Sequence, residues 1–198
     1  CWDVRGSEAA SFLNMILVNS ITTLDVGESQ YTAFFDLDGI PLDDLLVYRL
    51  GEEHYLLVVN AANNDKDWAW ANAVLNGEVM IDPERPWVKF QGEDVELRDL
   101  RDPAAGGTMR NELALQGAKS KEILLALGGE VDDLEKVKAL PWSGITQVTL
   151  GGFDVIVSRT GYTGERIAYV LFVHPDRLVE FWKVLLRVGE PMGLKPCG

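Results

Sequence analysis

Residues 30–60 read QYTAFFDLDGIPLDDLLVYRLGEEHYLLVVN. Three runs rich in aromatic, β-branched and other large apolar residues, "QYTAFFD", "GIPLDDLLVYRL" and "EHYLLVVN", are separated by the turn-forming "DLDG" and "GEE", which predicts an antiparallel meander. The middle run carries Asp43 and Asp44 inside an otherwise apolar strand. A buried, unpaired carboxylate is costly, so each must find donors, take up a proton, or sit there for a chemical reason. Successive side chains on a strand point to opposite faces, so the two cannot act together as a dyad; one faces each side of the sheet. Two readings stay open here. One aspartate is solvated while the other accepts backbone N–H groups from a neighbouring turn, or one projects into a cleft as a charge or proton partner for a ligand.

Outward from this core, "SEAASFLNMIL" places Ala9, Phe12, Leu13, Ile16 and Leu17 at helical spacing with Ser7 as the N-cap. "NNDKDWAWANAVLNG" opens on Asn/Asp and has Gly77 just past its end, the start and stop signals of a second helix. Residues 78–117 hold short strand-like pieces, "EVMI", "VELRDL" and "ELALQG", broken by Pro83, Pro86, Pro103 and the pair Gly106-Gly107. An internal boundary is expected in the cluster at 102–107, dividing the chain into parts 1–101 and 108–198. Beyond it "KEILLALGG" and "DDLEKVKAL" read as helices, "TQVTLGGFDVIVSRT" as a hairpin and "IAYVLFV" as a strand. "HPDRLVEFWKVLLRVG" reads as a helix with Pro175 in its first turn, an apolar face of Leu178, Trp182, Leu185 and Leu186, and Gly189 as its stop. Antiparallel strands mixed with packed helices predict an α+β fold.

With 198 residues, 47% of them hydrophobic, the chain can bury one large core or two small ones, and it lacks an apolar run long enough to span a bilayer. A soluble protein is expected. The formal charge of −13 comes from scattered acidic residues and disfavours nucleic acid or an anionic membrane as partner. Cys1 and Cys197 stand at the extreme ends, which gives neither a disulfide framework nor metal-ligand spacing and fits a reducing compartment. The opening on Cys1 and the close on "GLKPCG" read as cut ends, so a piece of a longer polypeptide is expected. "QGAKS" fails as a phosphate loop because Glu112 stands where a glycine is required. His54 and His174 are far apart, so a zinc site or histidine triad has little to work with.

A second candidate is "SRTGYTGE", residues 158–165, where two glycines bracket Tyr162-Thr163 and Glu165 follows. Such a loop can bring backbone close to a ligand while presenting Glu165 as an acceptor; the alternative is a plain hairpin turn with an exposed glutamate.

Taken together, "DGIPLDDLLVYRL", "YLLVVNAANNDKDWAW", "LALQGAKS", "SRTGYTGE" and "MGLKPCG" resemble, in order, successive blocks of the glycine cleavage system T-protein (aminomethyltransferase) family, and the similarity runs from about "DVRGSEA" onward. The resemblance implies a tetrahydrofolate-dependent transferase that takes an aminomethyl group from a lipoyl carrier protein (H-protein-like), releases ammonia and forms methylenetetrahydrofolate. It implies a cytoplasmic location, or the mitochondrial matrix in a eukaryote. On the matching positions it implies a catalytic role for Asp43, a pterin contact for Glu165, and places near the pterin for Tyr31, Asn60 and Tyr162. A carboxylate accepts the paired N–H edge of a pterin, which suits Glu165. Positive charge develops on the migrating carbon, which suits an ionised Asp43. The chain departs from the family pattern at Val170, roughly where a second glutamate is usual, and at Ala118, where proline is usual. The family's first block and its C-terminal β-rich domain are expected to lie outside this chain, so the chain alone is expected to bind folate weakly or not at all. The alternatives implied by the same scaffold are a folate-dependent demethylase, a folate-binding module of an amine dehydrogenase, and a non-catalytic folate-binding protein.

Overall fold

The structure is a computed structural model that describes residues 1–197. The chain folds as two compact units, one spanning Cys1–Asp99 and the other running from Leu100 on. Both combine antiparallel sheets with helices, an α+β fold.

In the first unit the expected meander forms as β2 (Ser29–Phe35), β3 (Pro41–Gly51) and β4 (His54–Val59). With β1 (Trp2–Arg5) and β5 (Glu96–Asp99) it completes a five-stranded sheet of order β2-β3-β4-β1-β5. The "DLDG" turn is closed by Asp36, whose Oδ1 accepts the N–H groups of Asp38 at 3.0 Å and Ile40 at 2.8 Å. Register then follows: Phe34 lies opposite Asp43 and Thr32 opposite Leu45. Asp43, Leu45 and Val47 are therefore one buried row, while Asp44 is exposed on the reverse face.

Two helices supply the other layer, α1 (Ala9–Ile16) and α2 (Asn64–Leu75). The first buries Ala9, Phe12, Leu13 and Ile16, the face its sequence spacing predicts. Trp2 ties the second to the sheet: its ring stacks on Phe34 with centroids 6.2 Å apart and meets Trp68 edge-on at 5.2 Å, and its Nε1–H donates to Asn64 Oδ1 at 3.1 Å.

Two local expectations fail here. Ser7 is not the cap of α1; the cap position is Glu8, and the Ser7 N–H donates instead to Asp94 Oδ2 at 2.9 Å, as does its hydroxyl. Donation to a carboxylate is charge-assisted, and it draws Ser7 toward Asp94 and away from the helix start. "EVMI" forms no strand. Its Val79 and Ile81 pack against the core, and Pro83 and Pro86, which cannot donate to a ladder, follow directly.

The second unit carries a four-stranded antiparallel sheet, order β6-β9-β8-β7, from β6 (Asn111–Gln116), β7 (Ile145–Leu150), β8 (Phe153–Ser158) and β9 (Ala168–Val173). Helices α3 (Ser120–Ala126), α4 (Val131–Ala139) and α5 (Pro175–Gly189) accompany it. The proline and glycine cluster forms a 3-10 segment, Pro103–Thr108, capped by Asp102 accepting the Ala104 N–H at 2.8 Å. Helix α5 starts as its sequence predicts, with His174 accepting the Asp176 N–H and Pro175 in the first turn. Its buried face centres on Phe181 and Leu185, one step round from the predicted stripe, with Leu178 only partly buried. Phe181 wins that place because it meets Phe153 edge-on at 5.2 Å. Helix α5 does end at Gly189, but this glycine takes no left-handed turn. It remains helical and buried, a Cβ there would fall 2.7 Å from Leu194 Cβ, and the left-handed turn is taken by Gly193.

Candidate functional site around Asp43

Asp43 is 7% exposed, at the edge of the helix-covered face of the first sheet, and two elements besides its own strand converge on its carboxylate. Its neighbour strand β4 is followed directly by Asn60, whose Nδ2 donates to Asp43 Oδ1 at 3.0 Å and whose backbone N–H donates to Oδ2 at 3.3 Å. The N-cap residue of α2, Asn63, makes no capping bond with its side chain; its Nδ2 donates to Asp43 Oδ1 at 2.7 Å instead. An asparagine at a helix start ordinarily accepts from the first turn, so this one is diverted to the carboxylate. Burial alone would raise the Asp43 pKa, but the Asn60, Asn63 and Asp67 hydrogen bonds outweigh it and hold the group below the usual carboxylate range. The carboxylate is thus kept ionised and fixed through both oxygens.

The residue that sequence reasoning missed is Asp67. It lies on α2 with Ala71 and Val74, the positions one and two turns further along the buried face, and its side chain has no exposed surface. Neither carboxyl oxygen meets an amide, hydroxyl or ammonium donor. Lys66 Nζ stands 4.0 Å from Oδ1 and is engaged by the Leu42 carbonyl. The group that acts on it is Asp43: desolvation first, then the side-chain interaction with Asp43 and the Asp43 charge, push the Asp67 pKa up to about 7. The Asp43–Asp44 dyad that strand geometry forbids is replaced by a carboxyl pair drawn from strand and helix. Its signal was present in the sequence, a carboxylate on the apolar stripe of "DKDWAWANAV" at helical spacing from Ala71 and Val74.

On the opposite face of β3 lies a second, exposed cluster. The Tyr31 hydroxyl donates to Asp44 Oδ2 at 2.8 Å, which raises the tyrosine pKa, with the ring 67% exposed. Asn60 Nδ2 also reaches the Asp44 carbonyl at 3.0 Å and Oδ1 at 3.1 Å, so one amide joins both aspartates across the end of the strand. Three residues singled out from the sequence, Tyr31, Asp43 and Asn60, are thereby brought together. The arrangement offers an ionised carboxylate on one face of the strand and, joined to it through the shared Asn60 amide, an exposed aromatic ring on the other, groups that suit a cation and a flat ring.

The other two, Tyr162 and Glu165, share the loop between β8 and β9 in the second unit. Tyr162 is 91% exposed. Glu165 is exposed, and its Oε1 accepts from the N–H groups of Arg166 at 2.9 Å and Ile167 at 3.3 Å, leaving Oε2 for an incoming donor. The loop is anchored by the Thr163 hydroxyl on Gln116 Oε1 and by the Gly117 N–H on the Ile167 carbonyl at 2.9 Å. Its two glycines have local causes: Gly164 has a positive φ of 88°, and a Cβ on Gly161 would fall 2.5 Å from Ala168 Cβ. Val170 pairs with Ala114 and Ser158 in regular register, so no carboxylate stands at that strand position.

Among the described residues no group of histidine, cysteine and carboxylate side chains is placed to hold a metal, and no helix is long and apolar enough to cross a membrane. His54 does meet an acid. Its Nε2 lies 2.6 Å from Asp3 Oδ1, in a buried network in which Arg5 and Arg98 also donate to Asp3. Burial opposes the ionised form of Asp3, yet His54, Arg5 and Arg98 hold its pKa far below the ordinary range. An ion network of this kind ties β1 to β4 and β5, a structural role.

Comparison with known proteins gives relatives by sequence and a shared fold by shape. Aminomethyltransferase of Bacillus subtilis (strain 168) is 35% identical over 196 residues, which cover 99% of this chain and 47% of that protein. The aminomethyltransferase of Bacillus cytotoxicus is 35% identical over the same length, covering 46% of it. The chain thus spans about half the length of the curated relatives it matches. Among solved structures, the glycine cleavage system aminomethyltransferase T from Bartonella henselae superposes with a TM-score of 0.69 at 24% identity, over 93% of this chain and 42% of that one. Heterotetrameric sarcosine oxidase from Corynebacterium superposes with a TM-score of 0.57 at 16% identity, over 100% of this chain and 82% of that one. At those identities the superpositions speak for the fold alone. The family described as GCVT N-terminal domain matches residues 2–198. The chain belongs to that family.

Proposed function

We propose that this chain supplies part of an aminomethyltransferase, which moves an aminomethyl group from a lipoyl carrier protein to tetrahydrofolate and releases ammonia. The observation that carries the reading is Asp43: a carboxylate at the edge of an apolar core, held ionised and immobile by Asn60 and Asn63. A fixed negative charge of low exposure stabilises a cation at short range far better than a solvated one, and pays no reorganisation when charge develops.

Tetrahydrofolate would bring the nitrogen nucleophile that accepts the one-carbon unit. The residues present fit that ligand in part. Tyr31 offers an exposed ring for a flat heterocycle, and Asp43 a carboxylate for the cationic carbon. Glu165 offers one oxygen as it stands; accepting the paired N–H edge of a pterin through both oxygens requires it to release the Arg166 and Ile167 N–H groups. Tyr162 and Asn60 complete the proposed contacts. Asp43 then acts as a catalytic residue by electrostatics, and the donors around it fix which way its lone pairs face.

The test is made on the full-length gene product containing this chain. With an aminomethyl-lipoyl carrier protein and tetrahydrofolate, ammonia and methylenetetrahydrofolate are expected in equal amounts. Demethylation of a methylated amine with no ammonia released from the lipoyl donor would overturn the assignment and favour a demethylase.

A further inference from the structure

Asp67 is fully buried on the core-facing side of α2, and the function proposed above makes no use of it. Asn63, one turn before Asp67 on the same helix, bonds Asp43, and Lys66 bonds the Leu42 carbonyl next to it, so the two carboxyl groups share one buried site; without a cation between them they cannot both be ionised at modest cost, and one keeps a proton. The surroundings decide which. Asp43 receives the Asn60 N–H, the Asn60 amide and the Asn63 amide, three donors that favour its charged form. Asp67 receives none, and Lys66 Nζ, the cation nearest in sequence, is 4.0 Å away and bound elsewhere. The charged groups acting on Asp67 are Asp43 from β3 and Lys66 from its own helix. Helix α1, which packs on α2, contributes no titratable side chain. On β1 the core-facing residues are Trp2 and Val4, and Asp3 is consumed by Arg5, His54 and Arg98.

We infer that Asp67 is held as a neutral carboxylic acid whose O–H donates to Asp43, and that it is a positioning residue for the Asp43 carboxylate. The catalytic half of this inference rests on the transferase reading; the location of the proton does not. With the proton in place, Asp43 has a fourth donor and a single fixed orientation. When Asp67 ionises, its proton leaves to solvent, the donor is lost and a second negative charge faces Asp43 from the core. The raised Asp67 pKa places that change close to neutrality. Deprotonation therefore displaces the carboxylate that the reaction needs, and the site loses its geometry on the alkaline side.

Two measurements test this. In the 198-residue chain labelled with 13C at the aspartate carboxyls, the Asp67 resonance is expected to titrate near pH 7, to vanish in Asp67→Asn, and to move to lower pH in Asp43→Asn. An Asp67 midpoint in the ordinary carboxylate range, or one indifferent to Asp43→Asn, overturns the location of the proton. In the full-length product, Asp67→Leu removes the donor and is expected to lower kcat on the order of 10²-fold, the scale of a small misplacement of a catalytic group, with KM little changed. Asp67→Asn restores a donor that cannot ionise; it is expected to recover most of that loss and to extend the alkaline limb of the pH–kcat profile beyond that of the wild type. Coincident pH profiles for wild type and Asp67→Asn overturn the positioning role. A wild-type protein that transfers no aminomethyl group while Asp67 titrates near neutrality counts against the transferase reading, and with it the catalytic half, but leaves the proton where it is placed.

Discussion

Replacing Asn63 with alanine removes one charge-assisted hydrogen bond and nothing else of comparable weight. The Asn63 Nδ2 to Asp43 Oδ1 distance is 2.7 Å, at the short end for such a bond, and its acceptor is nearly buried. A hydrogen bond to a charged group contributes about 1.5–3 kcal/mol. Asn63→Ala should therefore raise the Asp43 pKa toward the ordinary carboxylate range. The sign of the linked stability follows from the lowered pKa of Asp43. Its contribution is present above the unfolded value of about 3.8 and is lost as pH falls through the folded value. The variant should therefore lose about 1.5–3 kcal/mol at pH 7, and the deficit should shrink as acid protonates Asp43. Loss of an N-cap, the competing explanation for an asparagine at this position, also costs about 0.5–2 kcal/mol but would persist at every pH. Urea unfolding followed through the amide resonances of Leu45 and Val47, at pH 7 and in steps down to pH 3, separates the two. A deficit that is the same at both ends of the series, or under about 0.5 kcal/mol at pH 7, would refute the bond's assigned role.

Three further outcomes follow from the same structure. The Asp67 pKa is raised from 3.8 to about 7, so its stabilisation is full below pH 3.8 and is lost as pH rises to about 7; relative to wild type, Asp67→Asn should gain on the order of 4 kcal/mol between pH 4 and pH 8 in urea unfolding of the first unit. Gly161→Ala drives a methyl to within 2.5 Å of the buried Ala168 Cβ and should cost about 1–3 kcal/mol, read from amide exchange in β9; an unperturbed β9 would mean that the loop glycine is kept for a ligand and not for packing. Tyr31→Phe removes the exposed hydrogen bond to Asp44 and should leave the urea midpoint unchanged, so that a fall in folate affinity of the full-length product reports on binding and not on folding.

How far the sequence could be read depended on whether a feature was local. The meander at 30–60 was legible because its aromatic and branched runs alternate with turn residues, and the Asp36 turn set the register that puts Asp43 opposite Phe34. That Asp43 and Asp44 face opposite sides followed from strand period alone. What strand period could not give was the identity of the group facing Asp43, because Asp67 arrives from a helix 24 residues on and only packing brings the two together. Ser7 failed as a cap for the same reason, since Asp94 reaches it across 87 residues. Asn63 looked like an ordinary helix start and is one by position, but its amide serves the carboxylate. The Gly-x-x-Gly loop was recognised as a turn from its glycines, while the engagement of Glu165 with its own following backbone depends on rotamers that no pattern encodes.

The central claim is that an ionised, immobilised Asp43 stabilises a cationic one-carbon unit in transfer to a folate. It is tested most directly by Asp43→Asn in the full-length gene product, measuring single-turnover aminomethyl transfer alongside tetrahydrofolate affinity. The amide preserves shape and removes charge, so the account predicts a rate lower by about 10²–10³-fold, the scale seen when one electrostatic stabiliser is removed, with folate affinity nearly unchanged. Transfer at the wild-type rate with folate still bound would contradict it.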